Sequence, residues 1–431
     1  MLLKALDPRL LLRTLKGLAG TAVGRFAGAS AIVQGLPLIS APILARLYSP
    51  EAFGVYGVFY ALAAIVSAVA LLSLNNAILN EQDDATAFST MVSLVVPCAA
   101  FCLFIVLLSL LIPAGLISWA FGDIDRALLA FLPLTIFLAS MNTAGYSWIL
   151  RMGRYDFLAR YKLALGAGTL TLQIGIGMFR LEAVGLIVAN MLGYLLAGGL
   201  VVWHVVRADR VLLRSGAKLG FRAVCKRNGG LVAHTTPASL INMLASYLPE
   251  LLVNRFFGAS VLGQYNLGMR VIAMPAAFIS STVQDVFRRE ATREFSSTGG
   301  CAESFKKVFQ LMTGIAIFGL LPVILVLPVV FPVIFGDAWT EAGGLVQAVA
   351  ILVLVRFVAS PLSYVWIVTG RTGLDLLWQL GLVVLTLGVF FGARWLDPSV
   401  SPLNLLQTYG LIAGAWYLFC LALSYRWSRT P

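Results

Sequence analysis

The sequence predicts an all-α polytopic membrane protein with about twelve transmembrane helices, arranged as two parallel six-helix pseudo-repeats around a central cavity. Sixty per cent of the residues are hydrophobic and only 12% are charged, and the mean hydropathy is +0.91. A soluble domain cannot bury so large an apolar fraction, so lipid must be the solvent for most of the chain. The apolar runs reach about 20 residues and lack the alternation of barrel strands, which favours helices.

Short polar segments separate the apolar runs along the chain. The runs lie at about 20–45, 54–76, 88–112, 127–149, 161–179, 184–206, 230–253, 263–286, 306–333, 342–368, 375–393 and 404–424. They predict an N-terminal six-helix half at 1–206, a basic cytoplasmic connector at 207–229 and a C-terminal six-helix half at 230–431.

Three groups of residues recur in the second half in the same order as in the first. Arg46, Gly54 and Tyr56 recur as Arg255, Gly263 and Tyr265; Phe121-Gly122-Asp123 recurs as Phe335-Gly336-Asp337; Tyr146, Trp148 and Gly153-Arg154 recur as Tyr364, Trp366 and Gly370-Arg371. The separation lies between 209 and 218 residues, as small loop insertions would produce. Two related halves in a membrane protein are typical of transporters, because the halves can rock around a site between them.

The net charge of +12 is distributed by topology rather than gathered in one patch. With the N-terminus inside, inside segments hold 24 of the 31 Lys and Arg residues, and outside loops hold only Arg46, Arg126, Arg180, Arg255 and Arg394. This is the positive-inside pattern, with both termini cytoplasmic and basic loops that contact membrane lipids rather than nucleic acid. The acidic turn at 81–84 lies inside and is a mild exception.

The sequence gives little indication of a cofactor, a metal site or catalysis. The five cysteines show no paired metal-ligand spacing, so we expect no metal and no cofactor. The predicted outside loops are short and leave no room for a catalytic domain, so we expect no enzyme. Trp119, Trp339 and Trp395 lie near predicted outer turns, where we expect them to anchor the chain in the membrane interface.

Three arginines lie within apolar runs, where an ionisable side chain most strongly indicates function. Arg356 is near the middle of its run, where its insertion costs about 3 kcal/mol. Arg270 lies about two turns from the outer surface, and Arg25 lies at a similar depth from the inner one. They predict a substrate-binding cationic lumen, for which a diphosphate is the natural ligand because guanidinium binds phosphate oxygens in pairs. The alternatives are an ion pair with a buried acid for Arg356 and snorkelling for the other two.

Acidic residues near membrane depth are fewer. Asp285 ends the eighth run, and Glu250 follows Pro249 near the outer end of the seventh. Either carboxylate is a candidate to take a coupling proton or sodium ion. The alternative is an interfacial cap or an ion pair with a nearby arginine.

Two long stretches resemble one family of membrane proteins. They are LARLYSPEAFGVYGVFYALAAIVSAVALLSLNNAILNE at 44–81 and LPELLVNRFFGASVLGQYNLGMRVIAMPAAFISSTVQDVF at 248–287. They are similar to the polysaccharide-repeat flippases, the Wzx-type members of the polysaccharide transporter family in the MOP exporter superfamily. Arg270 and Pro275 fall on that family's Arg-x-x-x-x-Pro motif, whereas Glu250 stands where an apolar residue is expected.

The resemblance implies a flippase of the bacterial inner membrane. Its substrate would be an undecaprenyl-diphosphate-linked oligosaccharide for O-antigen, capsule or exopolysaccharide, moved outward by alternating access with a cation gradient. Polysaccharide polymerase and export enzymes would be possible partners. The alternatives are a cation-coupled multidrug exporter of the same superfamily, a lipid II flippase, which typically has about fourteen spans, and a membrane glycosyltransferase or polymerase.

Overall fold

The computed structural model describes residues 21–429 apart from 114, 117, 118, 120, 121, 123, 124 and 216–218. Every regular element in the described residues is helical. Nine helices in this part of the chain are long and apolar enough to cross a membrane. The prediction of an all-α polytopic membrane protein is confirmed. Phe121 and Asp123 of the recurring motif lie outside the described residues.

The helices before residue 230 form the first half of the chain order. Their limits are α1 Ala22–Leu47, α2 Pro50–Ala70, α3 Asn75–Asn80, α4 Asp84–Ser93, α5 Val95–Leu111, α6 Arg126–Leu129, α7 Leu132–Arg151, α8 Tyr155–Gly177, α9 Glu182–Ala208, α10 Arg210–Ser215 and α11 Phe221–Arg227.

The second half opens with a π-helical turn at Leu231–Thr235, which continues directly into α12. The α-helices are α12 Thr236–Phe257, α13 Ala259–Thr298, α14 Ala302–Ile315, α15 Leu321–Phe335, α16 Ala342–Ala348, α17 Ala350–Leu362, α18 Val365–Val368, α19 Thr372–Leu396 and α20 Pro402–Ser428. A second π-helical turn, Ala316–Leu320, joins α14 to α15.

Nine of the predicted spans overlap the nine apolar helices of the described residues. The other three runs, 161–179, 230–253 and 263–286, fall on α8, α12 and α13. These helices are long enough to cross a membrane but carry more polar residues. The total of twelve spans therefore stays a prediction.

The chain divides by its internal contacts into two compact units. The first unit is the described part of Met1–Ser40, Leu62–Ile117 and Asp125–Leu240. The second is the described part of Ala41–Ala61, Ser118–Ile124 and Ile241–Pro431. The second unit thus takes its first helical segment from the beginning of the chain. The N-terminal six-helix half at 1–206, the basic cytoplasmic connector at 207–229 and the C-terminal six-helix half at 230–431 stay a prediction.

The two halves repeat the same packing around a buried tryptophan. Helices α7 and α8 pack on α9 in the first half, and α17 and α19 pack on α20 in the second. The indole Nε1 of Trp148 donates to Asp209 Oδ2 at 3.0 Å, and that of Trp366 donates to Ser424 Oγ at 2.7 Å. Both rings are buried. The recurring tryptophan therefore ties equivalent helices together in each half.

The recurring Gly-Arg pair ends a helix in both halves. Gly153 has φ +63° and Gly370 has φ +73°, a left-handed conformation that favours glycine. The following amide, of Arg154 or Arg371, donates to the carbonyl five residues earlier at 3.2 and 2.7 Å. This is the Schellman type of helix end, which explains why glycine recurs here.

The acidic turn at 81–84 carries two ion pairs within the first unit. Glu81 pairs with Arg227 at 2.9 Å, and Asp84 pairs with Arg151 at 3.0 Å. The Glu81 side chain is buried, with only 4% exposed. Arginines thus pair with two of the three acids of this turn.

The second predicted span is wrong at its end. Helix α2 stops at Ala70, and Leu72 and Ser73 take left-handed conformations with φ of +50° and +55°. The chain then re-enters a helix, α3, which packs against α7. The buried Ser73 hydroxyl accepts a hydrogen bond from Thr236 Oγ1 at 3.2 Å, which compensates part of the backbone strain.

Candidate functional site

Helices α2 and α13 cross at the recurring glycines of the two repeats. A Cβ atom added to Gly54 would lie 1.8 Å from the carbonyl oxygen of Ala259. One added to Gly263 would lie 1.7 Å from the carbonyl oxygen of Pro50. Only glycine allows the two backbones to approach so closely. The crossing places the next turns of both helices beside one cavity.

A buried tryptophan supports this crossing from the side. Trp339 is fully buried; its Nε1 donates to the Ala45 carbonyl at 2.9 Å, and its ring meets Phe53 edge-on at 5.3 Å. The prediction of Trp339 as an interfacial anchor is therefore wrong. The indole instead satisfies a carbonyl near the end of α1. Trp119 and Trp395 are exposed, as an interfacial position requires.

A cavity of about 490 Å³ lies within the second unit. Its walls come from helices α2, α12, α13, α17, α19 and α20, and all of its lining residues belong to that unit. On α13 the lining residues Asn266, Arg270 and Met274 are spaced four apart. This spacing puts them on one helical face. The volume falls within the range of about 300–1,000 Å³ that is typical of small-molecule sites.

Three of the predicted site residues meet in this cavity. Arg270, Arg356 and Glu250 all line it, although they come from three different helices. Among the described residues, no acidic side chain lies within 4.0 Å of either guanidinium. The Arg356 side chain is exposed, and the cavity is the space it faces. The cavity therefore carries two arginines against one acid, which suits an anion.

Six tyrosines line the same cavity, a feature that sequence reasoning missed. They are Tyr56, Tyr60, Tyr247, Tyr265, Tyr409 and Tyr417. Aromatic residues are common in membrane helices as interfacial and packing groups, so their number alone gave no signal. The recurrence of Tyr56 as Tyr265 was a signal, because both members of that pair line the cavity.

Arg25 and Asp285 do not line this cavity. Arg25 belongs to the first unit and forms two hydrogen bonds with Asp156, of 2.7 and 2.9 Å. The hydrogen bonds from this guanidinium hold the pKa of Asp156 below its usual range. Asp285 is exposed on α13, about four turns beyond Arg270. Substrate binding by Arg25 and ion coupling by Asp285 stay predictions.

The all-α fold and the apolar helices define a polytopic membrane protein with a charged cavity. The chain belongs to the family described as polysaccharide biosynthesis protein, whose model matches residues 43–343. The family match confirms the resemblance drawn from the two sequence stretches.

Two curated relatives share part of the sequence. A teichuronic acid biosynthesis protein, TuaB, of Bacillus subtilis is 24% identical over 183 residues, which is 40% of this chain and 38% of the relative. A lipopolysaccharide biosynthesis protein, WzxC, of Escherichia coli is 24% identical over 185 residues, which is 43% of this chain and 37% of the relative. The matches thus span less than half the length of either relative.

Solved structures share the fold over nearly the whole chain. The lipid II flippase MurJ in an inward closed conformation matches with a TM-score of 0.68 and 13% identity, over 93% of this chain and 87% of that one. An inward-facing multidrug resistance transporter of the MATE family matches with a TM-score of 0.58 and 16% identity, over 95% and 97% of the two chains. At these identities the likeness shows the fold alone.

Proposed function

We propose that this protein moves an undecaprenyl-diphosphate-linked oligosaccharide across the bacterial inner membrane, from the inner to the outer leaflet. The oligosaccharide would be a repeat unit of an O-antigen, capsule or exopolysaccharide. The observation that carries the proposal is that Arg270 and Arg356 line one cavity, with no acidic side chain within 4.0 Å of either in the described residues.

The diphosphate matches these arginines in charge and shape. Guanidinium stays charged at any physiological pH and donates in pairs to phosphate oxygens. A charged group within an apolar span costs free energy unless it meets water or a counter-charge. A diphosphate entering the cavity supplies that counter-charge, while the isoprenoid tail stays in the lipid.

The comparisons support the substrate class. TuaB and WzxC bear names that refer to teichuronic acid and lipopolysaccharide biosynthesis, and MurJ is named as a lipid II flippase. Membership of a polysaccharide biosynthesis family suits a protein that carries a precursor of such a polymer.

The proposal also covers ion coupling, membrane topology and partner enzymes. Glu250 lines the cavity beside the arginines and is the better placed of the two acids to take a proton or sodium ion. Alternating access of the cavity would release the head group outside. The inside excess of basic residues supports cytoplasmic termini. Polymerase and export enzymes of the same pathway would be partners on either side.

The cavity disfavours the multidrug alternative. Two guanidinium groups against one carboxylate repel a cationic drug. The described residues of the cavity thus select for anions, although the fold is shared with a multidrug transporter.

The test is complementation of surface-glycan display in a flippase-null strain supplied with the cognate glycan. We expect wild type to restore display, Arg356→Ala to abolish it and Arg356→Lys to restore it weakly, all at matched expression. Arg289→Ala is the control, because Arg289 is an exposed arginine on the same helix as Arg270. Failure of the wild type contradicts the flippase proposal, and full activity of Arg356→Ala contradicts the role of the arginine.

A further inference from the structure

One wall of the cavity combines aromatic rings with an amide. Tyr56 and Tyr60 lie one turn apart on α2, with ring centroids 6.1 Å apart. Tyr247 of α12 meets Tyr60 edge-on at 6.2 Å. Tyr60 is 39% exposed, and the cavity is the space that it faces. The three rings form a tyrosine platform, which we define as Tyr56, Tyr60 and Tyr247.

An amide packs against the helix that carries Tyr56 and Tyr60, because a glycine leaves room for it. A Cβ added to Gly57 would lie 2.2 Å from Asn266 Nδ2, so the amide lies against α2 at Gly57, which follows Tyr56 in the sequence. Asn266 lines the cavity, and its side chain makes no hydrogen bond to any other described residue. An amide offers both a donor and an acceptor, which a hydroxyl-bearing ligand can use together.

We propose that the tyrosine platform and Asn266 form a sugar subsite, which holds the sugar residue attached directly to the diphosphate. This inference rests on the proposed function and deepens it. A sugar ring presents C–H groups on its faces and hydroxyls at its edge. The faces suit the apolar body of a tyrosine, and the hydroxyls suit the phenol oxygens and the amide.

The subsite lies in the same cavity as the phosphate-binding arginines. Arg270, one turn beyond Asn266 on α13, lines the wall beside the platform, and Arg356 lies on another helix of the cavity. When a sugar lies on the platform, its diphosphate can therefore bind the two arginines. The cavity of about 490 Å³ is of the size that takes a drug-sized ligand, so it suits a diphosphate with one sugar rather than a complete oligosaccharide.

The test compares two short-chain probes on the purified full-length protein in detergent. One probe is citronellyl diphosphate, and the other is citronellyl diphosphate carrying one N-acetylglucosamine. Binding is measured by the intrinsic fluorescence of the protein. We expect wild type to bind the sugar-bearing probe about tenfold more tightly, a difference of about 1.4 kcal/mol.

Three variants locate the sugar contribution. Tyr60→Leu removes the ring, Asn266→Ala removes the amide, and Gly57→Ala displaces the amide from its place. We expect each to reduce the tenfold preference to about twofold or less, because the sugar-bearing probe loses more affinity than citronellyl diphosphate does. Phe278→Leu is the control, since Phe278 is exposed on α13 outside the cavity lining. It should keep the full preference.

The outcomes separate this inference from the proposed function. If wild type binds both probes equally, the sugar subsite is overturned and the flippase proposal stands. If wild type binds neither probe, both are overturned. If Tyr60→Leu and Asn266→Ala weaken both probes to the same extent, these residues support the cavity and do not recognise sugar. Thermal unfolding of each variant identifies any loss of affinity that comes from misfolding.

Discussion

Gly54 and Gly263 occupy equivalent positions of the two repeats, and each lies against the helix that carries the other. A Cβ added to Gly263 would lie only 2.9 Å from the amide nitrogen of Gly54. The recurring motif therefore marks a contact between its own two copies. The same motif contributes Tyr56 and Tyr265 to the cavity, so each copy supplies both a glycine of the crossing and a tyrosine of the cavity wall.

The crossing predicts that alanine is too large at either glycine. Gly54→Ala and Gly263→Ala should each destabilise the protein by about 1–3 kcal/mol, because the added methyl group meets backbone that cannot move aside. The measurement is the apparent melting temperature in detergent. Gly388→Ala on α19 is the matched control, because a Cβ there meets no heavy atom within 4 Å. Equal melting temperatures for all three variants would contradict the tight crossing.

The sequence predicted the charged residues of the site, because placing a charge in an apolar run costs free energy. This cost identifies Arg270, Arg356 and Glu250 as candidate site residues from the sequence alone. It could not show that the three share one cavity. The recurring glycines Gly153 and Gly370 mark a helix end in each half of the structure, because glycine with positive φ recurs where a Schellman turn recurs.

The rest depends on contacts that are distant in sequence. Arg25 lies in an apolar run like the cavity arginines, so the sequence does not distinguish it from them. Its partner Asp156 is 131 residues away. Trp339 resembles an interfacial anchor, and only its hydrogen bond to Ala45, 294 residues away, shows that it is buried. The helix break at Leu72 and Ser73 contains neither glycine nor proline, so the sequence gives no signal for it.

The buried pair Arg154 and Asp209 should contribute strongly to stability. Arg154 Nη1 donates to Asp209 Oδ2 at 2.9 Å, and Trp148 donates to the same oxygen. Arg154→Ala leaves a carboxylate that is 3% exposed without its counter-charge, so we expect a loss of about 3 kcal/mol. The measurement is thermal unfolding in detergent. Glu303→Gln, which breaks the exposed pair with Lys307, is the control and should show no measurable change.

The same pair should be sensitive to acid. Burial alone raises the pKa of Asp209, but the hydrogen bonds from Arg154 and Trp148 outweigh it, and the pKa lies below its ordinary value. The stabilisation is therefore present above the unfolded pKa of about 3.9 and is lost as the pH falls through the lower folded pKa. Asp209→Asn should be less stable than wild type at pH 7, and the difference should shrink below about pH 4. A constant difference across that range would contradict the role of the charge.

Glu250 should separate coupling from binding. Glu250→Gln removes the one acid among the residues lining the cavity, so the affinity for citronellyl diphosphate should rise while transport loses its response to an imposed gradient. The measurement is flipping of a fluorescent lipid-linked sugar in proteoliposomes with and without a proton or sodium gradient. Glu51→Gln on the exposed start of α2 is the control. Transport by Glu250→Gln that follows the gradient as in wild type would remove Glu250 from coupling.

Arg151 should hold the broken end of the second span in place. Its guanidinium, on a side chain that is 11% exposed, donates to the carbonyls of Ile78, Leu79 and Glu81 at 2.8–3.3 Å and pairs with Asp84. These carbonyls belong to the last turn of α3 and the residue after it, where no further helical amide can reach them. Arg151→Ala should destabilise this region by about 2 kcal/mol, because buried acceptors lose a charged donor.

Hydrogen–deuterium exchange over residues 71–84 measures that effect directly. We expect Arg151→Ala to speed exchange there while leaving α17 and α20 unchanged, because those helices belong to the second unit. Arg151→Lys should give an intermediate rate, since an ammonium group keeps the charge but cannot form the same fork of hydrogen bonds. Arg160→Ala, at an exposed position of α8, is the control. Unchanged exchange in Arg151→Ala would mean that packing of α3 on α7 alone maintains the break.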